Sequence, residues 1–208
     1  MEVKQAIFLD KDGTIIPDVP YNVNPDFIEL APGVGDGLSK LKDRFSFYVI
    51  SNQSGIAKGL FEFDALRNVE QKISELLMPY GVEISEFYYC PHDLINGEIY
   101  CNCKKPKPGL IFRAAAANKI NLSNSYFIGD ILNDVEAGRA AGCKAILIDN
   151  GNETEWKING SRNRVPNFIA THFMLAVNYI LRQEEIREFE AISRITAKNK
   201  MNAELERM

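Results

Sequence analysis

Ala6-Ile7-Phe8-Leu9-Asp10-Lys11-Asp12-Gly13-Thr14 decides how this chain folds. Four apolar residues run without polar alternation, then stop at two carboxylates one residue apart. An apolar run of that kind reads as a strand buried on both faces. Such strands belong to parallel sheets, and ligands bind those sheets at the strands' carboxyl ends. Asp10 and Asp12 sit at that edge. Taken alone, Asp12-Gly13 is also an ordinary turn dipeptide.

Outward from this strand, apolar strands alternate with helical spacing. Gly33 to Lys42, Phe63 to Met78, Leu110 to Lys119 and Leu132 to Ala141 repeat apolar residues as helices do. Ser46 to Ile50, Glu86 to Tyr89, Ser125 to Ile128 and Lys144 to Ile148 are the strands between them. The alternation predicts an α/β fold: a doubly wound, Rossmann-like parallel sheet of about five strands with helices on both faces. Residues 149–167 read as a polar surface loop, and Phe168 to Leu181 as a last helix on the sheet. From Arg182 the chain is charged, with Ile186, Phe189, Ile192 and Ile195 on a drifting stripe. The expectation is one folded domain over 1–181 and a loosely docked helical extension over 182–208.

The 208 residues suit one good core. A net charge of −4 argues against a broad nucleic-acid surface. No apolar run reaches spanning length, so no membrane partner is expected. With the first strand starting so early there is no room for a signal peptide, and a cytoplasmic location follows as the expectation.

Other strand ends carry chemistry that matches Asp10 and Asp12. Ser51 and Asn52 follow the second strand, Asp130 the fourth, and Lys105 precedes the helix leading into the fourth. Carboxylates, a hydroxyl and an ammonium on one edge suit Mg²⁺ and a phosphoryl group. The residue before a proline is held extended, which suits a fixed reach for Lys105 ahead of Pro106. Between the third strand and this lysine, Cys90-Pro91-His92 and Cys101-Asn102-Cys103 supply three thiols and an imidazole. That is a complete tetrahedral shell with no open position, so a structural Zn²⁺ loop over 90–103 is predicted. Cys143 reads as a small buried apolar residue instead.

Asp10-x-Asp12-Gly13-Thr14, Ser51, Lys105-Pro106-x-Pro108 and Gly129-Asp130-x-x-x-Asp134 resemble, in order, the four motifs of the haloacid dehalogenase superfamily of phosphatases. The Cys-x-His…Cys-x-Cys loop directly before Lys-Pro is similar to a zinc-bearing subgroup. That subgroup holds the D-glycero-D-manno-heptose 1,7-bisphosphate 7-phosphatases and the histidinol phosphatases.

The resemblance implies a minimal cap and an aspartyl-phosphate mechanism. Asp10 would be the nucleophile and Asp12 the general acid and base. Asp10, the Asp12 carbonyl and Asp130 would hold Mg²⁺. Ser51 and Lys105 would bind phosphoryl oxygens, with Asp134 and Asn133 supporting the metal. Asn52, Gln53 and Lys104 would meet substrate, Lys104 standing where the heptose enzymes carry Arg. Asp18 to Pro25, Gln53 to Phe61 and 93–100 are the loops expected to choose it. A small phosphorylated sugar is the expected partner and a monomer the expected state, with a dimer through 182–208 as the alternative. The heptose bisphosphate is the favoured substrate; histidinol phosphate and a nucleic-acid 3′-phosphate are the alternatives.

Overall fold

A computed structural model describes residues 4–205. Six parallel strands form one sheet in the order β3-β2-β1-β4-β5-β6. These are β1 (Ala6–Leu9), β2 (Ser46–Asn52), β3 (Ile84–Cys90), β4 (Tyr126–Gly129), β5 (Lys144–Ile148) and β6 (Phe168–Ala170). The helices are α1 (Val34–Ser39), α2 (Ala65–Leu77), α3 (Gly109–Asn118), α4 (Leu132–Ala141) and α5 (Phe173–Leu205). The order reverses between β1 and β4, whose residues pair directly (Ile7 with Tyr126, Leu9 with Ile128). A crevice therefore opens past their carboxyl ends, where Asp10 and Asp130 emerge.

The apolar run of β1 feeds two cores. Ile7 and Leu9 pack on one face with Leu38, Val69, Ile73 and Val177. Ala6 and Phe8 pack on the other with Leu110, Ile111, Val135 and Leu147. All four β1 residues are fully buried, as a strand covered on both sides requires. α1 and α5 cross closely because residue 37 is Gly. A Cβ there would lie 2.9 Å from the side chains of Phe173 and Val177.

Among the described residues the sheet has six strands, close to the five or so expected. Phe168–Ala170 pairs with β5 (Leu147 with Ile169). Pro166 keeps the chain extended going in, and helix α5 starts only after Thr171-His172, where His172 Nδ1 accepts the Leu175 N–H at 3.2 Å. The predicted helix from Phe168 thus begins five residues later.

α5 also continues unbroken past Leu181. Its first part stays docked. Glu184, 1% exposed, accepts from Tyr126 Oη at 2.8 Å and pairs with Arg187, and Glu188 pairs with Arg44 at 3.0 Å. Phe189, Ile192 and Ile195 beyond it are exposed. Residues 206–208 of the predicted extension lie outside the described residues. No helix among the described residues is long and apolar enough to cross a membrane.

Candidate active site

The ends of β1, β2 and β4 and the segment before α3 meet at one cleft of about 350 Å³, lined by Asp10, Asp12, Ser51, Gln53, Lys105 and Asp130 among others. Lys105 is its electrostatic centre and is only 3% exposed. Its ammonium bonds Asp10 Oδ1 and, at 2.9 Å, the Ile50 carbonyl. It also lies 2.6 Å from Asp134 Oδ1, an ion pair whose angles fall outside hydrogen-bond geometry. Burial works against this charge, but Asp10 and Asp134 outweigh it and hold the ammonium above the usual lysine range.

One ammonium does not balance the acids around it. Carboxylate oxygens of Asp10, Asp130 and Asp134 all lie within 4.8 Å of one another, and all three residues are buried. Burial pushes Asp10 up to about 6 against the pull of Lys105. Burial, with Asp10 and Asp134 alongside, pushes Asp130 up to about 8. Carboxylates crowded this way are stabilised as anions by a further positive charge, and an all-oxygen donor set is the kind Mg²⁺ takes. The residues fit that ion.

Asp12 stands at the cleft wall. Its Oδ1 accepts from Lys11 Nζ at 2.8 Å and its Oδ2 from Gln53 Nε2 at 3.0 Å. Burial raises its pKa, with Lys11 opposing. Gln53 also donates to Ser51 Oγ at 2.8 Å, so it spans the two groups rather than projecting freely. Asn52 uses both ends of its amide on the Lys105 backbone, accepting from N at 3.0 Å and donating to O at 3.2 Å. Asp134 Oδ2 accepts the Asp130 and Ile131 N–H groups at 3.2 Å each, which fixes the start of α4.

Gly13 is where the first turn touches Asp130. Its φ is +79°, and a Cβ would fall 2.0 Å from Asp130 Oδ2. A side chain there costs backbone strain of ~1–2 kcal/mol and must drive the Asp130 carboxylate out of place. Gly13→Ala is therefore expected to fold but to lose ~10- to 100-fold in kcat/KM, the scale on which displacing a residue at a metal site costs activity. Steady-state kinetics beside a melting curve checks it; wild-type activity would contradict the contact.

The four zinc-loop donors converge as predicted. Cys90 Sγ lies 3.7 Å from Cys101 Sγ and 3.2 Å from Cys103 Sγ. His92 Nδ1 lies 3.6 Å from Cys90 Sγ and 3.2 Å from Cys103 Sγ. A tetrahedral Zn²⁺ with bonds of about 2.0–2.3 Å needs edges of roughly 3.5–3.8 Å, so small shifts fit the ion. Lys104 N donates to Cys101 Sγ at 3.3 Å, and Lys104 Nζ to the His92 carbonyl at 3.1 Å. The Lys104 side chain is thus spent on the Cys/His loop and does not line the cleft.

Comparison with known proteins settles the family. The HAD-hydrolase-like family profile matches residues 102–175. The D-glycero-beta-D-manno-heptose-1,7-bisphosphate 7-phosphatase of Pasteurella multocida is 34% identical over 72% of this chain and 84% of its own. The enzyme of that name from Escherichia coli K12 is 34% identical over 74% and 88%. The chain belongs to the haloacid dehalogenase-like phosphatases. Among solved structures, D,D-heptose 1,7-bisphosphate phosphatase from B. bronchiseptica, crystallised with magnesium and phosphate, superposes with a TM-score of 0.71. It is 25% identical and covers 86% of this chain and 99% of its own.

Some residues of this phosphatase lie where the sequence did not point. Asn133, expected to support the metal, instead accepts from Arg164 at 2.9 Å. Residues 149–167 form the exposed stretch expected, but its first residues also reach the site. Asn152 lines the cleft and Asn150 reaches back to Gly13. The only signal was position, since both asparagines directly follow a strand on the ligand-binding edge.

Of the three loops expected to choose substrate, Asp18–Asn22 and Gln53–Gly55 line the cleft. The stretch from Asp93 to Ile95 and Tyr100 borders a separate hollow with His92 and Cys101. Lys58 joins the loops at the rim, donating to Tyr21 Oη at 2.7 Å and facing Asp93 at 3.6 Å.

Proposed function

We propose that this phosphatase is Mg²⁺-dependent and removes the 7-phosphate of D-glycero-D-manno-heptose 1,7-bisphosphate through an aspartyl-phosphate on Asp10. The meeting of Asp10, Asp12, Ser51, Lys105 and Asp130 at the switch point supports the chemistry. What carries the substrate is the 34% identity to heptose bisphosphate phosphatases over 84–88% of their lengths.

In the first step a carboxylate oxygen of Asp10 forms a bond to phosphorus and the bond to the sugar oxygen breaks. Asp12 gives that oxygen a proton. In the second step Asp12 takes a proton from water, the water oxygen bonds to phosphorus, and the Asp10–phosphorus bond breaks. Burial, which raises Asp12, suits a group that must carry a proton in one step and release it in the other. Asp10, the Asp12 carbonyl and Asp130 would hold Mg²⁺. When bound, that ion supplies positive charge for the phosphoryl oxygens. Ser51 and Lys105 bind those oxygens from the protein side, and Lys105 is already poised on Asp10. Cys90, His92, Cys101 and Cys103 would hold a structural Zn²⁺.

The substrate is tested by kinetics on the heptose bisphosphate and on histidinol phosphate. The expected preference in kcat/KM for the former is at least ~tenfold, or ~1.4 kcal/mol. Equal rates, or a reversed order, would overturn the assignment.

A further inference from the structure

Both oxygens of the Asp130 carboxylate are held from outside its own strand. Oδ1 accepts from Thr14 Oγ1 at 3.4 Å, and Oδ2 accepts from Asn152 Nδ2 at 2.7 Å. The second is the closer contact, and it comes from a segment that carries none of the motifs. Residues 149–153 leave β5 as a strap pinned on both sides of the switch point. Asn150 Nδ2 donates to the Gly13 carbonyl at 2.7 Å, past β1. Glu153 Oε2 accepts the Leu132 N–H at 2.7 Å, past β4. Within the strap, Asn152 N donates to Asn150 Oδ1 at 3.1 Å. These bonds fix the Asn152 amide relative to both the Asp10–Gly13 turn and Asp130.

The chemistry of the contact matters as much as its place. An amide orients a carboxylate through a hydrogen bond and adds no charge. A lysine at this position would neutralise Asp130 and compete with a cation. The amide sets the direction of Asp130 without supplying a charge that would compete with a cation. The space is also filled: a Cβ on Gly13 would lie 2.5 Å from Asn152 Nδ2.

We infer that Asn152 is a positioning residue of the cation site, holding the Asp130 carboxylate turned toward Asp10 through its Oδ2. The inference rests on reading Asp10 and Asp130 as Mg²⁺ ligands. Its test uses the zinc-loaded, full-length protein without substrate. Mg²⁺ alone is titrated, and the rise in melting temperature gives the midpoint for wild type, Asn152→Ala and Asp130→Asn. Asn152 lies on an exposed loop, so the alanine variant is expected to melt, metal-free, where wild type does. Its Mg²⁺ midpoint should rise 10- to 100-fold, the usual cost of losing a partner of a metal-ligating group. Its kcat at saturating Mg²⁺ should return to near the wild-type value. An unchanged midpoint, or a fall in the metal-free melting temperature that accounts for the whole effect, overturns the positioning role. If Asp130→Asn binds Mg²⁺ as wild type does, the metal site itself has been misread; that result differs from a failure of Asn152→Ala alone.

Discussion

Replacing Asp10 by Asn is expected to lower kcat by on the order of 10⁴-fold or more, as loss of a catalytic nucleophile does. The amide matches the carboxylate in shape and can still accept from Lys105, so the cleft keeps its form. What is lost is the nucleophilic oxygen. Unfolding would be the competing explanation, and the electrostatics exclude it in a testable way. Burial raises Asp10 to about 6 in the fold, above its ordinary value near 4. A raised carboxyl adds stability below its unfolded pKa and loses that contribution as pH rises through the folded one. At pH ~7.5 the ionised Asp10 is therefore a net cost to the metal-free protein, and Asn removes it. The metal-free variant should melt no lower than wild type at that pH, and its advantage should shrink toward pH 5. A dead enzyme that melts lower would mean that Asp10 holds the fold instead of attacking phosphorus.

Removing Zn²⁺ is expected to be the second large effect. The zinc loop is tied to the segment that carries Lys105. Gly109 N donates to the Asn102 carbonyl at 3.0 Å, and Lys107 Nζ donates to the Ile99 carbonyl at 3.1 Å. Cys103 is two residues from Lys105. Without the ion, the four donors are held only by a few hydrogen bonds and by their packing beside Cys90, and structural Zn²⁺ contributes folding energy directly, ~10–16 kcal/mol in small domains.

Lys105 has other supports. Asn52 clasps its backbone twice, and its ammonium meets Asp10, Asp134 and the Ile50 carbonyl. Those bonds hold the side chain where it is, but two of them begin at the backbone that the loop must place first. We expect zinc-free protein, folded and saturated with Mg²⁺, to turn over at least ~10-fold more slowly, the scale on which loss of supporting contacts at a metal or catalytic site is felt. The check is turnover before and after chelation, with circular dichroism to verify the fold and re-addition of Zn²⁺ to restore the rate. Full turnover without zinc would show that Asn52 and the buried ion pairs suffice.

The sequence carried most of the site because its chemistry sits at strand ends. A buried strand announces itself by an unbroken apolar run, and the first polar residues after it fall on the ligand edge. Asp10, Ser51 and Asp130 were all legible in that way. The convergence of Cys90, His92, Cys101 and Cys103 was legible from their spacing. What was not legible depended on where side chains turn after the backbone is placed. Asn52 and Gln53 read as substrate contacts, but their amides are engaged with Lys105, Asp12 and Ser51. Lys104 sits beside Lys105 in sequence yet folds back on His92. β6 is only three residues long, too short for a period of two to show. Asn150 and Asn152 lie in a polar stretch whose composition is that of any loop, and only the pairing of β4 with β5 brings their segment to the crevice.

The central claim is the covalent intermediate on Asp10. It is tested most directly by mixing enzyme with labelled heptose bisphosphate, quenching in acid within the first turnover, and mapping the label by peptide mass. A phosphoryl group is expected on the peptide that carries Asp10, and none in Asp10→Asn. Label on another residue, or rapid hydrolysis with no labelled peptide at any quench time, would contradict it.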